Sequence, residues 1–147
     1  MLGKVSIQKT PNRKLMELNL QKYLINNKRD PNLRIFIGHL GEHIPYDLWR
    51  IDARMRFSRR EYRGKRPLGD YFLDNFMITT SGHFCDPAFR CALDVVGIDR
   101  MFFSADYPFE TMEDACEWFD ATPVINDEER LKIGRTNAVD YFNLDLD

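Results

Sequence analysis

The sequence predicts an α/β fold in which parallel strands alternate with crossover helices. Three short apolar runs, rich in aromatic and β-branched residues, have the length of buried strands, at 33–38, 76–80 and 101–105. Segments with helix signals separate and follow these runs. The resulting order of strand, helix, strand, helix, strand, helix is typical of parallel strands, because consecutive parallel strands need a crossover connection.

The predicted helices are marked by their apolar spacing and by their end signals. Pro87 suits a first helical turn and Gly97 a helix end. Thr111 and Asn126 are each followed three residues later by an acidic residue, which resembles a capping box. The predicted helices are 14–28, one that starts at Pro45 and includes Leu48, Ile51 and Met55, and then 68–75, 87–96, 112–121 and 127–134.

The composition excludes several classes of protein. The 147 residues are 44% hydrophobic and 30% charged, so the chain has more apolar surface than a disordered protein. No apolar run approaches the ~20 residues of a membrane-spanning helix. The first residues contain no apolar segment of the kind found in a signal peptide. Cys85, Cys91 and Cys116 match no zinc or redox spacing, and we expect buried thiols in a cytoplasmic protein.

Charge is distributed unevenly along the chain. Residues 50–66 carry eight basic and two acidic side chains, whereas residues 106–147 carry twelve acidic and three basic ones. The basic segment could contact phosphates, with Phe57 and Tyr62 stacking on bases. We prefer the explanation that it is a solvated, partly helical face, which pairs with acidic surfaces of the same fold or of a partner subunit. We expect no nucleic-acid partner, because the acidic third of the chain would repel a polyanion.

Polar side chains follow all three predicted strands. His39 and Glu42 come after the first, Ser81 and His83 (with Gly82 between them) after the second, and Asp106 after the third. Functional groups of parallel α/β folds gather where strands end. Taken singly, a strand-end Asp is often a turn cap and a lone His is often a hydrogen-bonded surface residue, but three such positions together favour a site.

The chemistry of these side chains suggests distinct tasks. An imidazole at His39 can bind a metal or transfer a proton near neutral pH, and Glu42 could orient it. Asp106 offers an oxygen ligand for a divalent cation, or a carboxyl proton. Arg50, on the predicted helix that follows, could bind a substrate carboxylate or form a surface salt bridge. His43 has no obvious task, and His83 is a weak candidate.

Five blocks of the sequence resemble one known group of enzymes. In order, they are FIGHLGEHIPYDLWRIDAR, YFLDNFMITTSGHF, VGIDRMFFSADYPFE, WFDA and KIGRTNAVDYFNL. They resemble the C-terminal part of the metal-dependent decarboxylases of the amidohydrolase superfamily, and most closely the γ-resorcylate and 2,3-dihydroxybenzoate decarboxylases. The resemblance covers residues 14–146, so we expect a divergent segment at 1–13 and a partial amidohydrolase-related domain at 14–147.

The resemblance implies a (β/α)8 barrel of which this chain is the C-terminal portion, about three β/α units that would include strands six to eight. It implies one divalent metal, zinc in the first place and manganese or magnesium as alternatives, with Asp106 as a ligand. By the same resemblance His39 is the catalytic acid/base, Glu42 its relay partner, and Arg50 a neighbour of the substrate's acid group. Asp106 could also carry the catalytic proton.

The chain departs from that pattern in length and in ligands. A complete barrel needs about 250 residues. The first-strand Glu-x-His or His-x-His motif and the fifth-strand histidine are absent from the sequence, and one carboxylate does not hold a metal alone. We therefore expect an incomplete barrel that is a poor catalyst by itself.

Three functions fit these observations. The first is part of a hydroxybenzoate decarboxylase that acts on an aromatic carboxylic acid and forms a dimer or tetramer when complete. The second is a metal-dependent hydrolase of the same superfamily. The third is a catalytically inactive truncated product that docks onto a homologue or onto its own missing half.

Overall fold

The computed structural model describes residues 33–57 and 66–146. The predicted helix 14–28 and residues 58–65 of the basic segment lie outside this part. The chain divides into two compact units. The described part of the first unit is 33–35, 47–57 and 66–76, and that of the second is 36–46 and 77–146. In the described part, no helix is long and apolar enough to cross a membrane.

Strands and helices alternate along the described chain as the sequence predicts. In chain order they are β1 (Ile35–Ile37), α1 (Ile44–Phe57), α2 (Leu68–Asn75), β2 (Phe76–Thr79), α3 (Asp86–Val96), β3 (Met101–Phe102), α4 (Met112–Ala121), α5 (Asp127–Leu131) and α6 (Asn137–Phe142). The predicted helices 68–75 and 112–121 are confirmed at both ends.

The sheet has the order β1-β2-β3, and β2 and β3 run parallel. Ile78 lies opposite Met101 and Thr79 opposite Phe102. Ile78 and Met101 are completely buried, which is typical of a parallel sheet covered on both faces. The α/β prediction is confirmed for this part of the molecule.

The third strand ends earlier than the sequence predicts. Pairing stops at Phe102 rather than continuing to residue 105. The backbone N–H of Phe103 donates instead to the carbonyl of Ile133, at 3.1 Å. The prediction was wrong at this end because an apolar run cannot reveal that its backbone bonds to a helix.

The buried side chain of Thr80 continues the β2–β3 connection beyond the strands. Its backbone N–H donates to the carbonyl of Phe102 (3.0 Å) and its hydroxyl donates to the carbonyl of Ser104 (2.8 Å). The N–H of Ser104 donates back to the same hydroxyl at 2.9 Å. Thr80 therefore holds the segment that leads to Asp106.

Helices α5 and α6 form a continuous helical stretch through a π-helical segment at Lys132–Thr136. The prediction that this helix ends at 134 was wrong. The amide of Asn137 donates to the carbonyls of Ile98 and Met101, each at 2.7 Å, and so fixes the continuation against the start of β3. Asn126 and Glu129 form the predicted capping box at the start of α5.

Within the first unit, α1 and α2 are joined by a backbone-to-carboxylate contact. The N–H of Gly69, in the first turn of α2, lies 3.1 and 3.3 Å from the two carboxylate oxygens of Asp52. Ile51 and Leu68 are buried together beside this contact. The carboxylate satisfies an N–H that has no partner within its own helix.

The cysteines are less buried than expected. All three thiols are free, with Cys85 and Cys116 exposed and Cys91 half-buried. The prediction was wrong for Cys116 because α4 buries Ala115 and Phe119, which lie on another face of the helix. Cys85 lies in the loop before α3.

We predict that Thr80→Val lowers the free energy of unfolding by about 1–3 kcal/mol, because it leaves the part-buried N–H and carbonyl of Ser104 without their partner. Urea unfolding of the 147-residue chain measures the change. Thr79→Val is the matched control, because its hydroxyl makes no hydrogen bond with the described residues. Equal losses in the two variants would contradict a role for the Thr80 hydroxyl.

Candidate functional site

The loops that follow the strands carry the residues of the second unit that the sequence predicts for the site. His39 and Glu42 follow β1, residues 80–83 follow β2, and Asp106 lies four residues after β3. The structure brings His39, Glu42 and Asp106 together. The backbone between Thr80 and His83 lies beside them.

Residues 39–42 form a tight turn with an unusual backbone. The φ angles of His39, Leu40, Gly41 and Glu42 are 53°, 53°, 80° and 57°. Left-handed backbone costs a non-glycine residue roughly 1–2 kcal/mol. The fully buried side chain of Leu40 and the hydrogen bond from Glu42 N–H to the His39 carbonyl (2.9 Å) hold the turn in place. Because of this turn, the side chains of His39 and Glu42 meet.

The imidazole of His39 lies between two carboxylates. Its Nδ1 is 2.7 Å from Oε1 of Glu42, and its Nε2 is 3.3 Å from Oδ2 of Asp106. The imidazole is 40% exposed, whereas the two carboxylate side chains are 23% and 22% exposed. The group is therefore open to solvent on the histidine side and more enclosed around the carboxylates.

The backbone joins the three loops around this group. The N–H of His39 donates to the carbonyl of Ser81 at 2.9 Å, and the N–H of Gly82 contacts the carbonyl of Ala105 at 3.4 Å. Asp106 has a φ of 80° and its carbonyl accepts from the N–H of Phe109 at 2.9 Å. Each residue of the group thus sits in a left-handed conformation that hydrogen bonds maintain.

The two carboxylates change the protonation of His39. Partial burial lowers the pKa of the imidazole, but the hydrogen bonds to Glu42 and Asp106 and their negative charges raise it more, so the pKa lies above 6.5. The group therefore favours an imidazolium with a donor N–H directed at each carboxylate.

The other predicted residues lie in different positions. His83 Nδ1 is 3.4 Å from the carbonyl of His39, so this side chain is next to the group, and it forms no hydrogen bond with the carboxylate of Glu42 or Asp106. His43 is exposed. Arg50 is exposed on α1 and belongs to the first unit, so its role stays a prediction.

Sequence reasoning missed the part played by Ser81 and Gly82. Ser81 acts through its backbone carbonyl, which any residue could supply, so its identity gives no signal. Gly82 has a φ of 64° and approaches the His39–Asp106 pair closely. A glycine two residues after the predicted strand 76–80, between polar residues, is the signal that could have found it.

The described residues supply few donors for the divalent metal that the resemblance implies. In residues 33–57 and 66–146, no three side chains from His, Cys, Asp and Glu are grouped so that they could hold a metal ion. Asp106 and His39 supply two donors, and Nε2 of His39 faces the carboxylate of Asp106. A zinc site normally needs at least three protein ligands. These residues do not by themselves form a metal site.

Comparisons with known proteins relate the chain to a family. The profile of the Amidohydrolase family matches residues 27–144. A γ-resorcylate decarboxylase from Rhodococcus jostii (strain RHA1) is 49% identical over 117 residues, which cover 78% of this chain and 35% of the relative. The chain thus spans about a third of the length of the curated relatives that it matches. The resemblance seen in the sequence is confirmed.

Solved structures show the same relationship. A 2,6-dihydroxybenzoate decarboxylase complexed with 2,6-dihydroxybenzoate superimposes with a TM-score of 0.78 at 42% identity, covering 88% of this chain and 40% of that one. A dihydroxybenzoic acid decarboxylase from Polaromonas sp. JS666, with bound manganese and 2-nitroresorcinol, gives 0.80 at 36% identity, with coverages of 91% and 41%. The manganese gives no support to zinc as the first choice of metal.

We predict that His39 titrates above pH 6.5 in the chain treated with a metal chelator. The pKa of His39 is higher in the folded chain than in the unfolded chain. The contacts of His39 with Glu42 and Asp106 therefore stabilise the fold below pH 6.5, and this stabilisation is lost as the pH rises through the folded pKa. NMR titration of the imidazole measures the pKa.

Glu42→Gln should lower that pKa, because it removes the charge beside Nδ1 and leaves the burial. Glu117→Gln, on the exposed side of α4, is the control and should leave it unchanged. A pKa for His39 at or below 6.5 in the unsubstituted chain would show that the carboxylates do not outweigh the effect of burial, and would contradict the prediction.

Proposed function

The chain belongs to the amidohydrolase family, and from this premise we propose that it supplies part of the active site of a carboxy-lyase. The substrate class is a hydroxybenzoate-type aromatic acid, from which the enzyme releases CO₂ without oxidation. The relatives named above are decarboxylases of such acids. The observation that carries the proposal is the imidazole of His39 held between Glu42 and Asp106.

Decarboxylation of a hydroxybenzoate requires a proton at the ring carbon that bears the carboxylate. We assign that proton to Nε2 of His39. It moves to the ring carbon, the bond from that carbon to the carboxylate breaks, and the electron pair of that bond restores the aromatic ring as CO₂ leaves. Neutral His39 then takes a proton from solvent, so the cycle balances.

His39 suits this task better than Asp106 does. Its raised pKa keeps a proton on the ring close to neutral pH, where general acids work best. The contact from Nδ1 to Glu42 is the shorter one at 2.7 Å, and that from Nε2 to Asp106 is longer at 3.3 Å. Glu42 therefore orients the ring, while the proton on Nε2 is the more easily released.

Asp106 and Arg50 complete the proposed set of residues. Asp106 is assigned as one ligand of a divalent metal, for which manganese is the ion favoured by the Polaromonas structure. The described residues supply too few donors for such an ion, so no step above depends on it. Arg50 is assigned to the acid group of the substrate, which a guanidinium can bind through two hydrogen bonds.

The three strands are proposed to be the sixth, seventh and eighth of an eight-stranded barrel. In such barrels the functional groups stand after the carboxyl ends of the strands, as His39 and Asp106 do here. The domain would start at residue 14 and assemble as a dimer or tetramer when complete.

The proposal is tested in a chimera, in which a relative supplies the part of the barrel that this chain lacks. Residues 27–144, which match the family profile, replace the corresponding third of the Rhodococcus γ-resorcylate decarboxylase, and the chimera is assayed with manganese and 2,6-dihydroxybenzoate. We expect CO₂ release and, in D₂O, one deuterium at the ring carbon that lost it. His39→Gln should lower turnover about 10²–10⁴-fold, because the general acid is lost. His43→Gln, four residues along and exposed, is the matched control.

Three outcomes of this assay count against the proposal. A folded chimera without turnover favours the alternative that the chain is a catalytically inactive truncated product. Turnover that survives His39→Gln removes His39 from the proton step. Hydrolysis of an ester or amide, without release of CO₂, assigns the chain to the hydrolases of the superfamily.

Metal content tests Asp106 separately. In the chimera, Asp106→Ala should remove manganese measured by elemental analysis, because a ligand is lost, while His39→Gln should retain it. Asp120→Ala, on the exposed side of α4, is the control. The 147-residue chain alone should bind less than one manganese per chain, given its two grouped donors. Full occupancy of Asp106→Ala would contradict the assignment.

A further inference from the structure

Gly82 lies against the His39–Asp106 pair with no side chain between them. A Cβ placed on Gly82 would be 2.9 Å from Oδ2 of Asp106, 2.9 Å from Cδ2 of His39 and 3.2 Å from its Nε2. Separations under 3.0 Å are shorter than van der Waals contact allows. Any side chain at position 82 must therefore displace the imidazole, the carboxylate or the backbone itself.

The backbone at this position has little freedom to move away. The carbonyl of Ser81 accepts the N–H of His39 at 2.9 Å, and the N–H of Gly82 contacts the carbonyl of Ala105 at 3.4 Å. The carbonyl and the N–H of the 81–82 peptide are thus tied to the two loops that carry the pair. A shift of Gly82 would pull on both loops.

We propose that Gly82 is a positioning residue, whose missing side chain allows His39 Nε2 and Asp106 Oδ2 to approach within hydrogen-bond distance. The inference rests on the proposed function for its chemical meaning, since it concerns the nitrogen assigned to proton transfer. It makes the small size of residue 82, and not only its backbone conformation, a requirement of the site.

A simpler explanation is that position 82 needs glycine only for its φ of 64°. The chain contains a comparison that separates the two explanations. Gly97, after α3, has a φ of 78°, and a Cβ there would meet nothing within 4 Å. Alanine costs backbone energy at both positions, but it meets the His39–Asp106 pair only at position 82.

The experiment compares Gly82→Ala with Gly97→Ala in the 147-residue chain. At about pH 5.5 the ring of His39 carries both protons, so each N–H is visible by NMR when a hydrogen bond protects it from exchange. We expect Gly82→Ala to lose the protected Nε2–H signal while the Nδ1–H signal, held by Glu42, persists as an internal control. Gly97→Ala should keep both signals. Retention of the Nε2–H signal in Gly82→Ala would overturn the proposal.

A second measurement tests the proposal even if Gly82→Ala does not fold. Asp106→Ala removes the carboxylate that the new Cβ would meet, so adding Gly82→Ala to Asp106→Ala should lower the melting temperature less than Gly82→Ala alone does. If Gly82→Ala fails to fold, folding of the double variant supports the proposal. Equal losses in the two backgrounds contradict it. Neither the Nε2–H signal nor the melting temperature depends on CO₂ release by the chimera. Failure of the proposed function can therefore be distinguished from failure of this inference.

Discussion

The candidate site depends on a histidine ring held at both nitrogens by carboxylates from different parts of the chain. Glu42 is three residues from His39, and Asp106 is sixty-seven residues away. The near partner fixes the ring's orientation, and the distant one fixes where the other nitrogen points. Their hydrogen bonds to the ring, together with their charges, outweigh the effect of partial burial and raise the pKa of the ring. A protonated donor close to neutral pH is the chemical result.

The fold sustains this arrangement at a cost in backbone energy. His39, Leu40, Glu42 and Asp106 are non-glycine residues with positive φ, a conformation that costs roughly 1–2 kcal/mol each and persists only where the surroundings enforce it. The buried side chains of Leu40 and Thr80 and the paired strands β2 and β3 enforce it here. Strain concentrated at the residues that meet one another is typical of a functional site.

The sequence predicts much of this fold, and the reasons for its failures are physical. Apolar runs and end signals locate α2 and α4 to the residue, and the rule that polar groups gather at strand ends selects both His39 and Asp106. The sequence does not reveal that the N–H of Phe103 bonds to the carbonyl of Ile133 instead of continuing the sheet, because residue type does not show which backbone groups pair. The closeness of Gly82 to the pair needs coordinates. The role of Arg50 rests on family resemblance, since the described contacts do not include it.

The protonation of His39 is most directly measured by neutron diffraction from a crystal of the metal-free chain, grown in D₂O below about pH 6.5. We expect deuterons on both ring nitrogens, one directed at Oε1 of Glu42 and the other at Oδ2 of Asp106. A nuclear density map with a single deuteron on the ring, or with the imidazole turned away from Asp106, would contradict the proposed arrangement.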